Sequence, residues 1–127
     1  MKIKTSQLTG ILLDWAVATA KGYKYIKIFK PQRPTDHGWI EVRFNPDIRA
    51  TTSTFSPSIN WSQGGPIIER ELICYNKSMD TYWTWLNNDA EGDRNPRASG
   101  PTLLIAAMRC YVASKLGEEV EIPEELK

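Results

Sequence analysis

The sequence has almost no excess of charge of either sign and no long apolar run. Sixteen Lys and Arg side chains oppose fifteen Asp and Glu side chains, which gives a net charge of +1. This balance offers no overall electrostatic reason to bind nucleic acid or an anionic membrane surface. No uninterrupted apolar stretch approaches the roughly 18 residues that a membrane-spanning helix needs. We therefore expect no membrane association, and we do not expect nucleic acid to be the main partner.

The sequence also has few residues arranged for catalysis. Its single histidine, His37, excludes a metal site built from several imidazoles, and we interpret it as a solvated loop residue. The phosphate-loop, dinucleotide-turn, nucleophile-elbow and H-E-x-x-H motifs are absent, as is a C-x-x-C pair. Residues 87–92 imitate the start of a calcium loop, but Ala98 stands where the closing carboxylate is required. We predict no metal and no cofactor, and we assign no catalytic residue.

Cysteine is scarce as well. Cys74 and Cys110 are far apart in the sequence and have apolar neighbours. Two buried, reduced thiols explain this pattern better than a disulfide, because cytosolic thiols stay reduced. The sequence therefore predicts a cytosolic protein.

Two helices are predicted, one near each end of the chain. Apolar side chains recur at helical spacing over residues 6–21 and again over 101–116. The expected boundaries are Thr5 or Ser6 and Gly22 for the first helix, and Ser99 or Gly100 and Gly117 for the second.

The intervening sequence predicts a small sheet. Residues 23–29 and 39–44 alternate in the manner of strands joined as a hairpin, and 79–86 suit another strand. One or two helical turns opened by Pro66 are expected before a short strand near residue 74. Residues 87–100 are predicted to be a surface loop, and the acidic tail to pack lightly before fraying. The predicted fold is α+β, a single domain over residues 1–127: a small antiparallel sheet with an N-terminal and a C-terminal helix packed on it and a long ordered central loop.

The central segment 55–69 is the most unusual part of the chain, because it combines a tryptophan, two amides, a glycine pair and two prolines. We interpret it as a shaped loop. Its amides offer hydrogen-bond donors and acceptors, its tryptophan a stacking surface, and its glycines permit close approach of a ligand. A structural turn that shapes a pocket nearby explains the composition equally well. The candidate ligand-binding residues are Asn60, Trp61, Gln63, Gly64, Gly65 and Glu69.

A second candidate site interleaves lysines with aromatic residues. Lys24, Tyr25 and Lys27 lie within a stretch that runs from Lys21 to Lys30. Basic side chains beside aromatic rings are what a phosphate-bearing or single-stranded ligand would use. An edge strand protected by lysines against misassociation explains the same pattern, and we prefer that interpretation.

Three blocks of the sequence resemble the NinX family of tailed-phage and prophage proteins. The blocks are KTSQLTG at 4–10 with LDWAVA at 13–18, FSPS at 55–58 with WSQGGPIIERE at 61–71, and GPTLLIAAMRCYVASKLG at 100–117. The resemblance implies a phage accessory protein, expressed in the cytoplasm of the host bacterium. It implies no particular activity and therefore transfers no catalytic residue.

Three functions remain open from the sequence. The favoured one is a non-catalytic binding module that engages a small nucleotide-like ligand or a host protein. The first alternative is a small hydrolase or transferase that acts on a nucleotide-like signal through Glu69 or Glu71. The second is a nucleic-acid-associated accessory protein that uses residues 21–30. A homodimer is expected only because symmetric dimers are the commonest oligomers.

Overall fold

The computed structural model describes residues 2–30, 38–43, 53–86 and 96–126. His37 and the calcium-like residues 87–92 lie outside these ranges, as do residues 31–37 of the predicted hairpin loop at 30–38. Within them the chain forms three α-helices and eight short strands. In chain order these are β1 (Lys2–Lys4), α1 (Gly10–Ala20), β2 (Tyr25–Phe29), β3 (Trp39–Arg43), β4 (Ser53–Thr54), α2 (Trp61–Arg70), β5 (Ile73–Ser78), β6 (Thr81–Leu86), β7 (Arg97–Gly100), α3 (Leu103–Leu116) and β8 (Glu119–Glu121), with 3-10 turns at Thr5–Gln7 and Glu124–Leu126.

The described strands pair only in antiparallel fashion, and the fold is α+β as predicted. The expectation of a single small sheet is wrong, because the strands form three sheets: β1–β8, β2–β3–β4 and β5–β6–β7. The predicted hairpin is β2–β3, in which Tyr25 lies opposite Arg43 and Phe29 opposite Trp39. The β2–β3–β4 and β5–β6–β7 sheets lie against different helices, and β8 also contacts α3. Strand β3 contacts α1, whereas β5, β6 and β7 contact α3.

Helix α3 lies at the centre of the core. Ala106, Ala107, Met108, Cys110 and Val112 are fully buried along its middle turns. The helix contacts α1 and the β5–β6–β7 sheet, and the Thr84 hydroxyl of β6 donates to the carbonyl of Ala106 at 2.8 Å. A helix packed by more than one layer buries most of its circumference instead of a single stripe.

Both cysteines are free, as predicted. Cys74 is half-buried, whereas Cys110 is buried within α3. Burial raises the pKa of the Cys110 thiol to about 11. This thiol is therefore protonated at neutral pH and is a poor nucleophile.

The first helix begins later than predicted, at Gly10, and Thr9 precedes it without a side-chain cap. Thr5 does not cap it because tertiary contacts occupy this residue: its hydroxyl donates to the Gly117 carbonyl at 2.6 Å, and its N–H to the Glu118 carbonyl at 2.8 Å. The predicted end is confirmed. Gly22 has a φ of +88°, and Tyr23 N–H returns to the Ala18 carbonyl, as in a helix closed by a left-handed glycine.

The predicted N-cap of the last helix, Ser99 or Gly100, is also wrong. Ser99 and Gly100 belong to β7, which pairs with β6, so the predicted surface loop at 87–100 is wrong over residues 97–100. Thr102 caps α3 instead, its hydroxyl accepting from Ile105 N–H at 3.1 Å. Gly117 follows the helix with a φ of +92°, as expected at its end.

The acidic tail is part of a sheet. Strand β8 pairs with β1 so that Glu121 lies opposite Lys2 and Glu119 opposite Lys4. The expected light packing is wrong here, because Val120 is buried between the two glutamates. Lysines near the start of the chain thus lie opposite glutamates of the acidic tail, and these opposite charges favour this register.

Candidate functional site

The central segment forms a helix from Trp61 onward, so the predicted loop is wrong over residues 61–65, whereas the helical turns predicted from Pro66 are confirmed. Asn60 is the N-cap: its Oδ1 accepts from the Ser62 N–H at 2.9 Å and from the Ser62 hydroxyl at 2.7 Å. Such a cap satisfies one of the unpaired N–H groups of the first turn. Pro66 was expected to open a helix, but it lies inside α2, where its ring removes an N–H donor.

Gln63 ties the start of α2 to the segment before it. Its Oε1 accepts from Ser56 N–H at 2.6 Å, and its Nε2 donates to the Thr54 carbonyl at 2.7 Å. Both ends of the amide are therefore engaged within the protein. The contact fixes where α2 begins relative to β4.

Gly64 allows α2 to approach its neighbours closely. A Cβ at this position would lie 2.6 Å from the Pro57 carbonyl oxygen and 2.6 Å from Cδ2 of Leu104. At Gly65, by contrast, the nearest atom to such a Cβ is Cε3 of Trp61, at an ordinary 3.7 Å. Gly64 is thus required by packing, and Gly65 is not.

These contacts hold Trp61 at the surface. Its side chain is 55% exposed although it occupies the first position of a docked helix. The structure therefore gives the candidate residues different roles. Asn60, Gln63 and Gly64 position the segment, and Trp61 is presented to solvent.

Trp61 lines a groove of about 580 Å³ between the start of α2, the β5–β6 turn and the start of α3. We call this the Trp61 groove. Its volume lies in the range of small-molecule sites. Of the six residues predicted from the central segment, only Trp61 is part of its wall. The residues that line the groove are Trp61, Lys77, Asp80, Tyr82, Pro101, Thr102, Leu103 and Leu104.

The groove combines aromatic and charged groups. The Lys77 ammonium lies 5.4 Å from the centre of the Tyr82 ring, within cation–π range. Asp80 contributes a carboxylate from the turn between the strands. Helix α3 begins at this groove with Thr102 and Leu103, and the first turn of a helix carries partial positive charge.

The groove residues of the β5–β6 hairpin were missed by the sequence analysis. Lys77 and Tyr82 lie opposite each other in the strand register, so their side chains share one face. The sequence signals a strand near Tyr82, but it does not show that this face meets the start of α2. That pairing depends on contacts between elements far apart in the chain.

The two glutamates of the enzyme hypothesis lie elsewhere. Glu69 is exposed on α2 and does not line the groove. Glu71 lies 3.5 Å from the Lys115 ammonium in an ion pair. Neither carboxylate is among the residues that line the Trp61 groove.

The basic and aromatic candidates do come together, on the β2–β3 hairpin. Lys24, Tyr25 and Lys27 line a hollow of about 420 Å³ with Ile26, Glu41 and Arg43. Many of its charges and rings contact each other: the Arg43 guanidinium lies 5.2 Å from the Tyr25 ring centre, and the Lys27 ammonium lies 5.0 Å from that of Phe29. Lys27 also faces Glu41 in the strand register. These contacts within the hairpin favour the interpretation of residues 21–30 as an edge strand protected by lysines.

In the described ranges, no three His, Cys, Asp or Glu side chains form a group suited to a metal ion. Nor does any helix in that part of the chain have the length and apolar character to cross a membrane.

Comparison with known families identifies a match over most of the chain. The family model described as "Bacteriophage P22, NinX" matches residues 4–115. The matched region includes α1, α2, all of α3 except its last residue, the Trp61 groove and the β2–β3 hairpin. A comparison with curated proteins found no match.

Proposed function

The chain belongs to the bacteriophage P22 NinX family, and we propose that this phage accessory protein is a non-catalytic binding module of the host bacterial cytoplasm. Its ligand is a small nucleotide-like molecule held in the Trp61 groove. The observation that carries the proposal is the 55% exposure of Trp61 at the wall of this groove. An exposed aromatic ring held by a fixed backbone loses little conformational freedom when it binds.

The groove chemistry supports a ligand with both a ring and an anionic group. Trp61 and Tyr82 offer aromatic faces on which a base can stack. The Lys77 ammonium and the start of α3 favour negative charge. Asp80 supplies an acceptor for an amino or hydroxyl group. A nucleotide presents all three kinds of group.

The test is a calorimetric titration with adenosine and guanosine mono-, di- and triphosphates. We expect at least one to bind with saturation, and Trp61→Ala to weaken its Kd by about tenfold, since one stacked base contributes roughly 1–3 kcal/mol. Trp83→Ala is the matched control. Trp83 is also exposed, at 46%, but strand alternation directs its side chain to the face opposite that of Tyr82. We expect this control to change Kd by less than about twofold.

Equal binding by the Trp61→Ala variant and the wild type would refute the groove as the site. The recovered ligand must also be chemically unchanged. Turnover that is lost in Glu69→Gln would instead favour the hydrolase or transferase. Binding of oligonucleotides that weakens steeply with salt and requires Lys24 and Lys27 would favour the nucleic-acid alternative.

A host protein is the second candidate ligand, because large apolar side chains flank the groove. Ile59 is 77% exposed two residues before Trp61, and Met79 is 92% exposed beside Asp80. Exposed apolar groups around an aromatic anchor are typical of protein contact sites. For this candidate, Ile59→Ser and Met79→Asn should weaken association with a host protein while nucleotide binding is unchanged. Asn suits the Met79 φ of +56°.

A further inference from the structure

A second cavity, of about 320 Å³, shares no lining residue with the Trp61 groove. Its walls come from β1 and the turn after it, from β7, from α3 and from the start of β8. We call it the Arg109 cavity. Its charged lining residues are Lys4, Arg97, Arg109, Glu118 and Glu119.

Arg109 is the least expected of these, because it is only 9% exposed. Its Nε donates to the Leu8 carbonyl at 2.9 Å, and its Nη1 donates to the Ser99 carbonyl at 2.8 Å. A guanidinium has five N–H groups, so most of its donors have no protein acceptor in the described structure. No described carboxylate forms an ion pair with it.

A buried cation without a counter-ion is unfavourable. Two carbonyl groups supply dipoles to Arg109, but they supply no negative charge. Burial lowers the pKa of Arg109, yet a guanidinium keeps its proton at any physiological pH. The positive charge is therefore present. In the described ranges, the remaining N–H groups are not among the buried side-chain atoms left without a partner, so they are open to an acceptor that enters the cavity.

The charges around the cavity leave a positive excess beside Arg109. The lining includes three cationic side chains and two carboxylates. One of these, Glu119, lies opposite Lys4 in the β1–β8 register, so each offsets the charge of the other. Glu118 is exposed, and its backbone carbonyl accepts from Thr5 N–H at 2.8 Å. Arg97 on β7 adds a second guanidinium to the lining.

We propose that the Arg109 cavity binds a small oxyanion, with the free N–H groups of Arg109 and Arg97 donating to a phosphate or carboxylate group. Guanidinium forks match both groups geometrically, because each presents two oxygens at once. The cavity volume exceeds that of the anionic group alone, which leaves room for a small organic body. This site is independent of the Trp61 groove and of its ligand.

The test titrates the full chain with sodium phosphate and, separately, with sodium acetate, at constant ionic strength, by calorimetry. We expect saturable binding of at least one anion. Arg97→Gln should weaken its Kd by about tenfold, the usual effect of losing a charge-assisted hydrogen bond. Lys30→Gln removes the same charge at an exposed position outside the cavity and should leave the Kd within about twofold. The anion that binds better identifies the ligand class.

Arg109→Lys keeps the charge but loses the planar fork, and we expect it to bind more weakly than Arg97→Gln does. Because Arg109 also joins Leu8 to Ser99, the Arg97 variant decides the question if the Arg109 variant does not fold. Absence of saturable binding by both anions would overturn the proposal. Equal loss in Arg97→Gln and Lys30→Gln would also overturn it, since the effect would then come from overall charge.

Discussion

Gly64→Ala is expected to lower the free energy of unfolding by about 3 kcal/mol, which corresponds to a fall in Tm of roughly 10 °C for a chain of this size. The added Cβ would lie 2.6 Å from the Pro57 carbonyl oxygen. Leu104 can turn its methyl group away, but the Pro57 oxygen belongs to the backbone, so α2 itself must shift. Chemical denaturation of the variant and the wild type measures the loss directly.

Gly65→Ala is the matched control, one residue further along the same helix. Its Cβ makes only an ordinary contact of 3.7 Å with Trp61. Alanine is favoured over glycine in a helix by about 1 kcal/mol, so this variant should be as stable as the wild type or slightly more stable. Equal destabilisation by the two substitutions would contradict the close packing of α2 on Pro57. Because Gly64 positions the helix start, its substitution should also weaken ligand binding in the Trp61 groove.

Asp14→Asn is expected to remove most of the change in stability between about pH 4 and pH 6. Asp14 is 7% exposed on α1, and its Oδ1 accepts from the Ser58 N–H at 2.9 Å. Burial raises the pKa of this carboxyl from 3.8 to about 6. The folded state therefore holds the proton more tightly than the unfolded state. The stabilisation by this proton is complete below about pH 4 and is lost as the pH rises through about 6, an effect of about 3 kcal/mol.

The asparagine variant keeps an oxygen for Ser58 N–H but has no charge to bury. It should therefore be more stable than the wild type at pH 7, by about 1–3 kcal/mol. Asp14→Ala also removes the titration, but it leaves a buried N–H group without an acceptor and should be less stable than Asp14→Asn by about 1–3 kcal/mol. Urea unfolding at a series of pH values separates these outcomes. A wild-type and an Asp14→Asn curve that stay parallel from pH 4 to pH 6 would show that Asp14 does not titrate in this range.

Periodicity predicted the elements whose burial follows from local sequence. The first and last helices and the β2–β3 hairpin were predicted because apolar side chains recur in them at the spacing of a helix or of a strand, although α3 buries most of its circumference and not one face alone. Their starts were predicted less well, because caps compete with tertiary contacts. Thr5 bonds to the end of the chain and not to α1.

The start of α2 at Trp61 could not be predicted from local preference, although helical turns from Pro66 were predicted. Gly64 and Gly65 disfavour a helix interior, and proline is favoured only in the first turn, so the residues before Pro66 were interpreted as a loop. The Asn60 cap and the Gln63 contacts with Ser56 and Thr54 stabilise the helix start. Gly64 is needed there because of Pro57 and Leu104. Each of these reasons depends on partners outside the helix.

The candidate site was located only in part by sequence. The composition of residues 55–69 indicated the region and included Trp61, but the other walls of the groove come from the β5–β6 hairpin and the start of α3. The local sequence does not mark Arg109 as a site residue, except that it is a cationic side chain in an otherwise apolar helix. Its importance appears only when Leu8 and Ser99 are brought to it by the fold.

A ¹H–¹⁵N NMR titration with the nucleotide that binds tests most directly whether α2 presents Trp61 to a ligand. The signals to follow are those of the indole N–H groups of the five tryptophans. Trp61→Phe assigns its own signal by loss of the peak. We predict that the Trp61 signal shifts and saturates at the calorimetric Kd while the Trp83 signal stays in place. Saturation of binding with an unmoved Trp61 signal would contradict the account.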